Sequence, residues 1–267
     1  GSIEAVKEQV TFLGRSELDI SHKSSIGSAI NRLAPRLIIN AAAYTNVNQA
    51  ESQSQMAFDI NGTGVQYLAE LCAERQIPLI HLSTDYVFDG TQSRPYVEED
   101  VTHPLNVYGQ SKLQGEQAIM GSNVEAMIIR ISWIYSAVGH NFVKTMLKLA
   151  QAGKEITVIE DQIGSPTSAL DVANMLTMLI KRFARGEPFH SGLFHFTARG
   201  ETSWYGFADE IFRQAMELDL IASLPDLKPI STEAYGAALA RPANSRLDCS
   251  HFDTLFAYDR PRWQDSL

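Results

Sequence analysis

The sequence predicts an α/β fold, a doubly wound parallel sheet followed by a smaller C-terminal lobe. Short, continuous apolar runs, which are typical of strands buried on both faces, alternate with longer segments of helical periodicity. Strands and helices that alternate in this way are joined by right-handed crossovers, so the strands lie parallel in one sheet. The tail from residue 221 contains four prolines, which indicates loops and a smaller cap.

Six apolar runs predict the strands, at 10–13, 37–43, 78–84, 126–132, 156–160 and 193–198. Helical patterns around them predict six helices, at 3–9, 25–33, 62–75, 107–120, 142–152 and 171–185. Pro35 ends the second of these helices, because a proline disfavours the helical conformation in the residue before it. The third helix carries Val65, Leu68, Ala69 and Cys72 on one face, which is the pattern of a helix that packs on a core.

Residues 1–135 are predicted to form a dinucleotide-binding domain to which 156–198 return, and 136–155 with 199–267 a substrate-binding lobe. A Rossmann-like sheet of this kind should open with a strand and a glycine-rich turn before its first helix. The sequence begins instead at the helix predicted for 3–9, with Gly1 as a candidate for the last glycine of that turn. We therefore expect either a truncated chain or an omitted opening segment, and weak cofactor binding if the molecule itself lacks the turn.

Composition and charge exclude several classes of function. The net charge of −9 and the pI near 5.3 argue against broad nucleic-acid binding. Cys72 and Cys249 are too few for a disulfide framework, which predicts a reduced, cytoplasmic setting. No apolar run approaches the roughly 18 residues that span a bilayer, and no signal peptide is visible. The histidines show no metal-binding spacing, so no metal site is predicted, and His81 is expected to be a hydrogen-bonded core residue.

Three predicted strands end in polar or aromatic residues, at 41–44, 83–86 and 132–133. Ligands of doubly wound sheets collect at these carboxyl ends. Tyr108 and Lys112 lie on the helix between the last two of these strands, four residues apart and therefore on one helix face. The nearby cation is expected to stabilise the phenolate and to lower the pKa of Tyr108 from about 10 towards neutrality.

These residue types suit proton transfer in a crevice that holds a cofactor and a substrate. Tyr108 is the predicted proton donor or acceptor. Lys112 is expected to tune the phenol and to hydrogen-bond ribose hydroxyls of a cofactor. Thr84, at the end of its strand, is expected to hold a substrate oxygen in line with the phenol. Thr84, Tyr108 and Lys112 are therefore the predicted catalytic residues.

The segment after the strand at 10–13 predicts the cofactor. A carboxylate at this place usually binds the 2′-hydroxyl of NAD, whereas an arginine accommodates the 2′-phosphate of NADP. The sequence offers Gly14 and Arg15 there and no acid before Glu17, which favours NADPH, with NADH as the alternative. The predicted cofactor set, in which Asp19 and Ile20 flank the adenine, consists of Arg15, Asp19, Ile20, Ala41, Ala42, Ala43, Tyr108 and Lys112.

Several motifs give the chain a resemblance to a known family. It resembles the extended short-chain dehydrogenase/reductases, and more closely the dTDP-4-dehydrorhamnose reductases, in S-T-D-Y-V-F-D-G (83–90), P-L-N-V-Y-G-Q-S-K (104–112) and A-A-Y-T-N-V-N-Q-A-E (42–51). Further similar segments are R-I-S-W-I-Y (130–135), D-Q-I-G-S-P-T (161–167) and R-P-A-N-S-R-L-D (241–248). Y-x-x-x-K alone is shared by a very large superfamily, whereas the first and last of these motifs are far more specific.

The resemblance implies an NAD(P)H-dependent reduction of the C4 ketone of dTDP-4-dehydro-6-deoxy-L-mannose to dTDP-L-rhamnose. Tyr108 would give its proton to the new alkoxide, with Lys112 and Thr84 completing the triad. The partner is then a small dTDP-sugar, and a homodimer is left open. The substrate-binding residues that the resemblance implies, aromatic beside the sugar and polar at the nucleotide diphosphate, are Tyr86, Trp133, Arg241, Asn244 and Arg246.

Other functions stay open at this point. The chain has Asn48 where the family has an aspartate, which keeps a hydrogen-bonding group and drops a charge. A sugar-nucleotide dehydratase typically carries Asp-Glu directly after the threonine, where this chain has Asp85-Tyr86, and an epimerase would show no net use of NADPH. A non-catalytic regulatory or binding subunit is favoured by the missing glycine turn and opposed by the intact triad.

Overall fold

The structure is a computed structural model that describes residues 10–153, 155–237 and 239–267. The described chain folds into two compact units. Unit 1 contains the described residues up to Phe88 together with Val101–Arg130 and Asn174–Phe194. Unit 2 contains Asp89–Asp100 and the described residues of Ile131–Ala173 and of His195–Leu267. The predicted opening helix at 3–9 and Gly1 lie outside the described residues.

The helices, in chain order, are α1 Lys23–Leu33, α2 Val47–Ser52, α3 Ser54–Phe58, α4 Gly64–Arg75, α5 Val107–Met120, α6 Phe142–Gln151, α7 Ala169–Ala184, α8 Trp204–Glu217, α9 Thr232–Tyr235 and α10 Ser250–Phe256. The strands are β1 Ile38–Asn40, β2 Leu79–Thr84, β3 Ala126–Ile131, β4 Ile134–Tyr135, β5 Ile156–Ile159, β6 Ile163–Gly164, β7 Thr167–Ser168, β8 Gly192–His195, β9 Thr202–Ser203 and β10 Leu227–Ile230. A π-helical turn, Asp59–Thr63, leads into α4, and a 3₁₀ turn, Asp85–Val87, follows β2.

A four-stranded sheet in the order β1-β2-β3-β8 is the centre of unit 1. β1 pairs with β2 in parallel, with Asn40 opposite His81. The apolar runs of β2 and β3 are almost wholly buried, as expected for strands with helices packed on them. The core that α1, α4 and the sheet form includes Ile26, Val65, Leu68, Cys72, Leu79 and Ile128. The predicted α/β class is confirmed.

Helix α5 begins and ends where the sequence predicts, and its start has a local cause. The Asn106 side chain accepts the backbone N–H of Gly109 at 2.9 Å and so satisfies one of the donors that every helix start leaves unpaired. The helix runs for 14 residues, from Val107 to Met120. This fixed start sets which residues of α5 face β2.

Unit 2 has a core of its own, built on helices and three short strand pairs. The pairs are β5 with β10, β4 with β7, and β6 with β9. α8 and α6 supply most of the apolar side chains, and the Ser203 hydroxyl caps α8 by accepting the N–H of Gly206 at 3.0 Å. The buried members of this core include Tyr135, Met146, Phe207, Ile211, Phe212 and Trp263.

The structure differs from the sequence prediction in several places, among them the short elements β4, β6, β7, β9, β10, α9 and α10, which were not predicted. The strand predicted at 10–13 is wrong, because these residues join no ladder with the described strands. The strand predicted at 37–43 ends at Asn40, since the side chain of Asn40 accepts the N–H of Ala42 and turns the chain. Helices α2 and α3 were not predicted, and neither was α8, although its apolar residues at 207, 208, 211, 212 and 215 follow a helical period. None of the helices in the described ranges combines the length and the hydropathy that a bilayer crossing requires.

Candidate active site

Close packing of α5 against its neighbours brings the predicted catalytic residues together in unit 1. A Cβ on Gly109 would lie 2.2 Å from the carbonyl oxygen of Tyr86, and one on Gly115 would lie 2.2 Å from that of Asn61. Such distances exclude any residue larger than glycine unless the helix moves away. Because α5 comes this near to the end of β2, Tyr108 stands beside the turn that follows Thr84.

Thr84 and Tyr108 lie within hydrogen-bonding reach of each other. Thr84 is buried, and its hydroxyl donates to Asp85 Oδ1 at 3.1 Å and accepts the N–H of Tyr86 at 3.2 Å. The ring of Tyr86 meets that of Tyr108 edge to face, with centroids 5.5 Å apart. The Thr84 hydroxyl therefore lies beside the Tyr108 phenol.

The predicted pKa of Tyr108 is wrong in its direction. Burial of the phenol raises its pKa above the ordinary value, the charge of Asp85 raises it further, and the Thr84 hydroxyl opposes the shift only in part. The expected effect of Lys112 is missing because the Lys112 ammonium is directed elsewhere, at the carbonyl of Leu82. A phenol with a raised pKa stays protonated at neutral pH, which suits a proton donor better than a base.

Lys112 is buried beneath the site, with 2% of its surface exposed. Its Nζ donates to the Leu82 carbonyl at 2.7 Å and lies 3.3 Å from His81 Nε2. Burial lowers the pKa of Lys112 to about 8, against a small opposing effect of the Glu116 charge. An amine of this kind gains and loses a proton close to neutral pH.

A second buried polar group lies one turn further along α5. Glu116 forms a salt bridge with Arg130 of β3 at 2.6 Å, and the two side chains are 0% and 2% exposed. The Ser83 hydroxyl donates to the same carboxylate at 2.5 Å, and the Arg130 guanidinium lies 4.8 Å from the ring centre of Phe88. This network ties β2, β3 and α5 together below Lys112.

Sequence reasoning missed the roles of these supporting residues. Asn40, Glu116 and Arg130 received no assignment, and His81 was correctly expected in the core without its contact to Lys112. For Asn40, His81 and Arg130 one signal was available, because each of these polar side chains interrupts an apolar run that predicts a buried strand. Glu116 lies in a largely polar helix and gave no such signal. A polar residue in a buried strand needs a polar partner, but the sequence alone does not name the partner.

The predicted cofactor residues all lie in unit 1. Ala41 and Ala42 are exposed directly after β1, so their backbone is accessible past methyl side chains only. The Arg15 side chain is 71% exposed, and its Nε lies 3.4 Å from Asp19 Oδ2. Ile20 is buried in the core of unit 1 and offers packing alone.

This donor set fits a dinucleotide. The open backbone after β1 and the exposed Arg15 guanidinium match phosphates. The Tyr108 hydroxyl and the Lys112 amine match ribose hydroxyls. Asp19 is held by Ser21, whose hydroxyl and backbone N–H donate to the carboxylate at 2.6 and 3.0 Å and lower the Asp19 pKa. The Asp19 carboxylate is therefore negatively charged at neutral pH. Of the predicted cofactor residues between 15 and 20, Arg15 is the one that can bind an anionic group.

Trp133 belongs to unit 2, as do the predicted residues of the 241–248 motif. The Trp133 ring stacks on the Trp204 ring with 3.6 Å between the ring centroids and an angle of 10° between the ring planes. The backbone of Trp133 is left-handed, with φ of 49°, and a Cβ on Gly164 would lie 2.4 Å from the indole ring. One face of Trp133 is therefore covered by Trp204.

The 241–248 motif is held by its own hydrogen bonds. The Asn244 amide donates to the carbonyls of Gln92 and Arg94 at 2.8 and 2.7 Å. Arg246 donates to the Asn244 amide oxygen at 2.9 Å and forms a salt bridge with Glu201 at 3.1 Å. Asn244 therefore holds the loop in its shape. Arg241, three residues before Asn244, is half-buried.

Arg246 also lines a cavity of unit 2 of about 320 Å³. Arg199 and Arg260 line the same cavity, and Glu201 is the acidic residue on its wall. Each of these arginines pairs with a carboxylate, Arg199 with Asp259, Arg260 with Asp253 and Arg246 with Glu201. Phosphate oxygens would therefore bind the guanidinium forks by an exchange of partners. In the ranges that the structure covers, no group of three His, Cys, Asp or Glu side chains is placed to share a metal ion.

Known proteins resemble the chain over nearly its whole length. The profile of the RmlD substrate binding domain family matches residues 2–267. The dTDP-4-dehydrorhamnose reductase of Aggregatibacter actinomycetemcomitans is 42% identical over 97% of this chain and 88% of that protein. A dTDP-4-keto-6-deoxy-D-glucose reductase of Streptomyces niveus is 37% identical over 90% of this chain and 80% of that protein. The crystal structure of dTDP-4-dehydrorhamnose reductase from Bacillus anthracis in complex with NADP matches with a TM-score of 0.88 and 33% identity, covering 99% of this chain and 92% of that one.

Proposed function

The chain belongs to the RmlD substrate binding domain family, and from this premise we propose that it is an NAD(P)H-dependent dTDP-4-dehydrorhamnose reductase. The reaction converts the C4 ketone of dTDP-4-dehydro-6-deoxy-L-mannose to the alcohol of dTDP-L-rhamnose. One observation carries the proposal within the structure. Thr84 and Tyr108 meet where α5 packs on the end of β2, and Lys112 lies buried one turn further along α5.

Each residue of the triad has a task that its surroundings explain. Tyr108 holds a proton at neutral pH and gives it to the oxygen at C4 as the ketone is reduced. Thr84 binds the same oxygen through its hydroxyl and keeps it in line with the phenol. Lys112 is buried below the phenol and binds ribose hydroxyls. NADPH supplies the hydride when it is bound.

NADPH is the preferred cofactor in this proposal, with NADH as the weaker alternative. The support is the exposed Arg15 guanidinium, which suits a 2′-phosphate, and the charged Asp19 that its own turn already binds. The related Bacillus anthracis structure is a complex with NADP. A fluorescence titration that finds NADH bound more tightly than NADPH would reverse this preference.

We further propose that unit 1 binds the dinucleotide and unit 2 the sugar nucleotide. The predicted cofactor residues lie in unit 1. Of the predicted substrate residues, Trp133, Arg241, Asn244 and Arg246 lie in unit 2, whereas Tyr86 lies in unit 1 beside Tyr108. The arginine-lined cavity supports a diphosphate there. A cytoplasmic location and a homodimer belong to the same proposal. The free, buried Cys72 and Cys249 support the reducing compartment, and light scattering tests the dimer.

The test is to follow the loss of NADPH absorbance with dTDP-4-dehydro-6-deoxy-L-mannose and to identify the product. We expect one NADPH consumed for each molecule of dTDP-L-rhamnose formed. The D-gluco 4-keto sugar, named for the Streptomyces relative, serves as the competing substrate. Conversion without loss of NADPH would indicate an epimerase or dehydratase. Binding of both ligands without any conversion would indicate a non-catalytic subunit and would refute the reductase.

A further inference from the structure

Three buried polar side chains form a hydrogen-bonded chain that ends at the catalytic lysine. The amide nitrogen of Asn40 lies 3.0 Å from His81 Nδ1, and His81 Nε2 lies 3.3 Å from Lys112 Nζ. Their exposed fractions are 4%, 0% and 2%. The chain runs from the end of β1 through the middle of β2 to α5, and the proposed reduction assigns no task to Asn40 or His81.

The orientation of the Asn40 amide decides which nitrogen of His81 carries the proton. Asn40 Oδ1 accepts the backbone N–H of Ala42 at 3.1 Å, so the NH₂ group of the amide faces His81. That NH₂ group can only donate, which makes His81 Nδ1 the acceptor. Burial and the charge of Lys112 hold the pKa of His81 well below its ordinary value, so the ring is neutral. A neutral ring with a bare Nδ1 carries its proton on Nε2.

This tautomer presents an N–H donor to the nitrogen of Lys112. A lysine ammonium has three donors and no acceptor, so the two groups oppose each other as long as Lys112 is charged. An uncharged amine has a lone pair that accepts from His81 Nε2–H, and it still donates to the Leu82 carbonyl at 2.7 Å. The hydrogen bonds of the chain are therefore complete only when Lys112 is uncharged.

We propose that Asn40 and His81 are positioning residues for the reduction proposed above: Asn40 fixes the tautomer of His81, and the Nε2–H of His81 biases Lys112 towards its uncharged form. The lysine then changes its charge without leaving its place. The charged ammonium keeps its hydrogen bond to the Leu82 carbonyl, and the uncharged amine adds the hydrogen bond that it accepts from His81 Nε2.

The other charged and titratable groups around Lys112 do not replace this control. Glu116 lies one turn further along α5, but its carboxylate binds Arg130 of β3 and the Ser83 hydroxyl. Tyr108 lies one turn before Lys112 on the same helix and is protonated at neutral pH. His81, from β2, is the titratable group that contacts the lysine nitrogen among the described residues.

The first test reads the tautomer directly and needs neither cofactor nor substrate. ¹H–¹⁵N spectra of the full chain with labelled histidine report which ring nitrogen is protonated, and a His81→Gln variant identifies the His81 signal. We expect the proton on Nε2. In Asn40→Asp the carboxylate accepts from both Ala42 N–H and Nδ1–H, so the proton moves to Nδ1. A proton on Nδ1 in the natural sequence, or an unchanged tautomer in Asn40→Asp, would overturn the proposal.

The second test is the pH dependence of kcat in the reductase assay. Activity that needs a charged Lys112 falls as pH rises through the lysine pKa. In Asn40→Asp, His81 Nε2 accepts from the ammonium and stabilises it, so this fall moves to higher pH by about one unit. KM for NADPH should change by less than about twofold, since a one-unit shift of the lysine leaves the binding contacts in place. A fall at the natural pH in a folded variant contradicts the proposal.

Two further variants separate the proposal from simpler effects. Asn123→Asp adds the same charge to unit 1 at an exposed loop position and should leave both the tautomer and the pH profile unchanged. An equal shift in Asn123→Asp would assign the effect to net charge and overturn the proposal. If Asn40→Asp does not fold, His81→Gln replaces it, because the amide oxygen can turn towards the ammonium and should also move the fall to higher pH. If the natural chain has no reductase activity, the proposed function is refuted. The tautomer measurement still tests the inference about Asn40 and His81, because it needs no turnover.

Discussion

Replacing Glu116 by Gln tests whether the network below the active site stabilises the fold. The substitution keeps the shape of the side chain and removes its charge. Arg130, of which 2% is exposed, then keeps a buried positive charge without its anion. The short contact of 2.6 Å and the second bond at 3.0 Å from Arg130 Nε become weaker, neutral hydrogen bonds.

The magnitude follows from the burial of the pair. Removing one member of a buried ion pair costs about 3–5 kcal/mol, because the remaining charge stays out of water. Gln keeps one acceptor for Arg130 and a donor or acceptor for Ser83, which places the expected loss near the lower end, about 3 kcal/mol. With an m-value of about 1–3 kcal/mol/M in urea, the unfolding midpoint should fall by roughly 1–3 M.

Urea unfolding at pH 7, followed by circular dichroism and by tryptophan fluorescence, measures this loss. The matched control is Glu217→Gln, which breaks the pair between Arg213 and Glu217 on the surface of α8, with side chains 55% and 63% exposed. An exposed pair contributes less than about 1 kcal/mol. Adding Arg130→Met to Glu116→Gln should recover most of the stability, because no buried charge remains. A loss below about 1 kcal/mol in Glu116→Gln would show that Glu116 and Arg130 contribute no more than an exposed pair.

Three further predictions concern the site and the acid stability of the chain. Gly109→Ala should lower the free energy of unfolding by about 1–3 kcal/mol and lower kcat, since its Cβ would lie 2.2 Å from a backbone oxygen of the turn after β2. The control is Gly27→Ala, because a Cβ at this position of α1 meets open space. Equal melting temperatures for the two variants would contradict the close packing. Thr84→Val should reduce kcat about ten- to a hundredfold through loss of a hydrogen bond to the reacting groups, and unchanged turnover would remove the hydroxyl from the mechanism. Arg94 holds the pKa of Asp100 at about 2. The stability that this carboxylate contributes is therefore present above its unfolded pKa of about 3.9 and is lost as pH falls towards 2. Asp100→Asn should flatten the plot of unfolding free energy against pH between about pH 4 and 2, and an unchanged slope would contradict the role of this pair.

Local signals in the sequence predicted the elements that carry the site. The apolar runs of β2 and β3 and the helical pattern of α5 are properties of neighbouring residues, and the cap by Asn106 fixes the start of α5. The strand predicted at 10–13 is wrong for a different reason. A strand exists only when another backbone pairs with it, and no property of four residues reveals that pairing.

The electrostatics of the site could not be predicted from spacing. A separation of four residues places Tyr108 and Lys112 on one face of α5, but it does not say where the lysine nitrogen points. The contacts that direct it come from His81 and Leu82, about 30 residues earlier in the chain. The pairing of Asn40 opposite His81 likewise depends on the register of β1 on β2.

The family resemblance supplied what spacing could not, the identity of the ketone, whereas Tyr108 was already the predicted proton donor or acceptor from its place on α5. The structure places the motifs at 83–90 and 104–112 side by side, and it adds the network beneath them. The roles of all predicted site residues, in unit 1 and in unit 2, remain predictions. Arg246 already has Glu201 as a partner in the structure, so its role with a phosphate requires an exchange of partners.

The role of Tyr108 as proton donor is tested by comparing Tyr108→Phe with the natural chain in turnover and in cofactor binding. The substitution removes one oxygen from a half-buried ring and leaves the packing against Tyr86 in place. We expect kcat with dTDP-4-dehydro-6-deoxy-L-mannose to fall about 100-fold or more. The Kd of NADPH should change by less than about threefold, since one lost hydrogen bond contributes little to binding. Turnover that stays within about twofold of the natural chain would contradict the assignment of Tyr108 as the proton donor, and with it the mechanism.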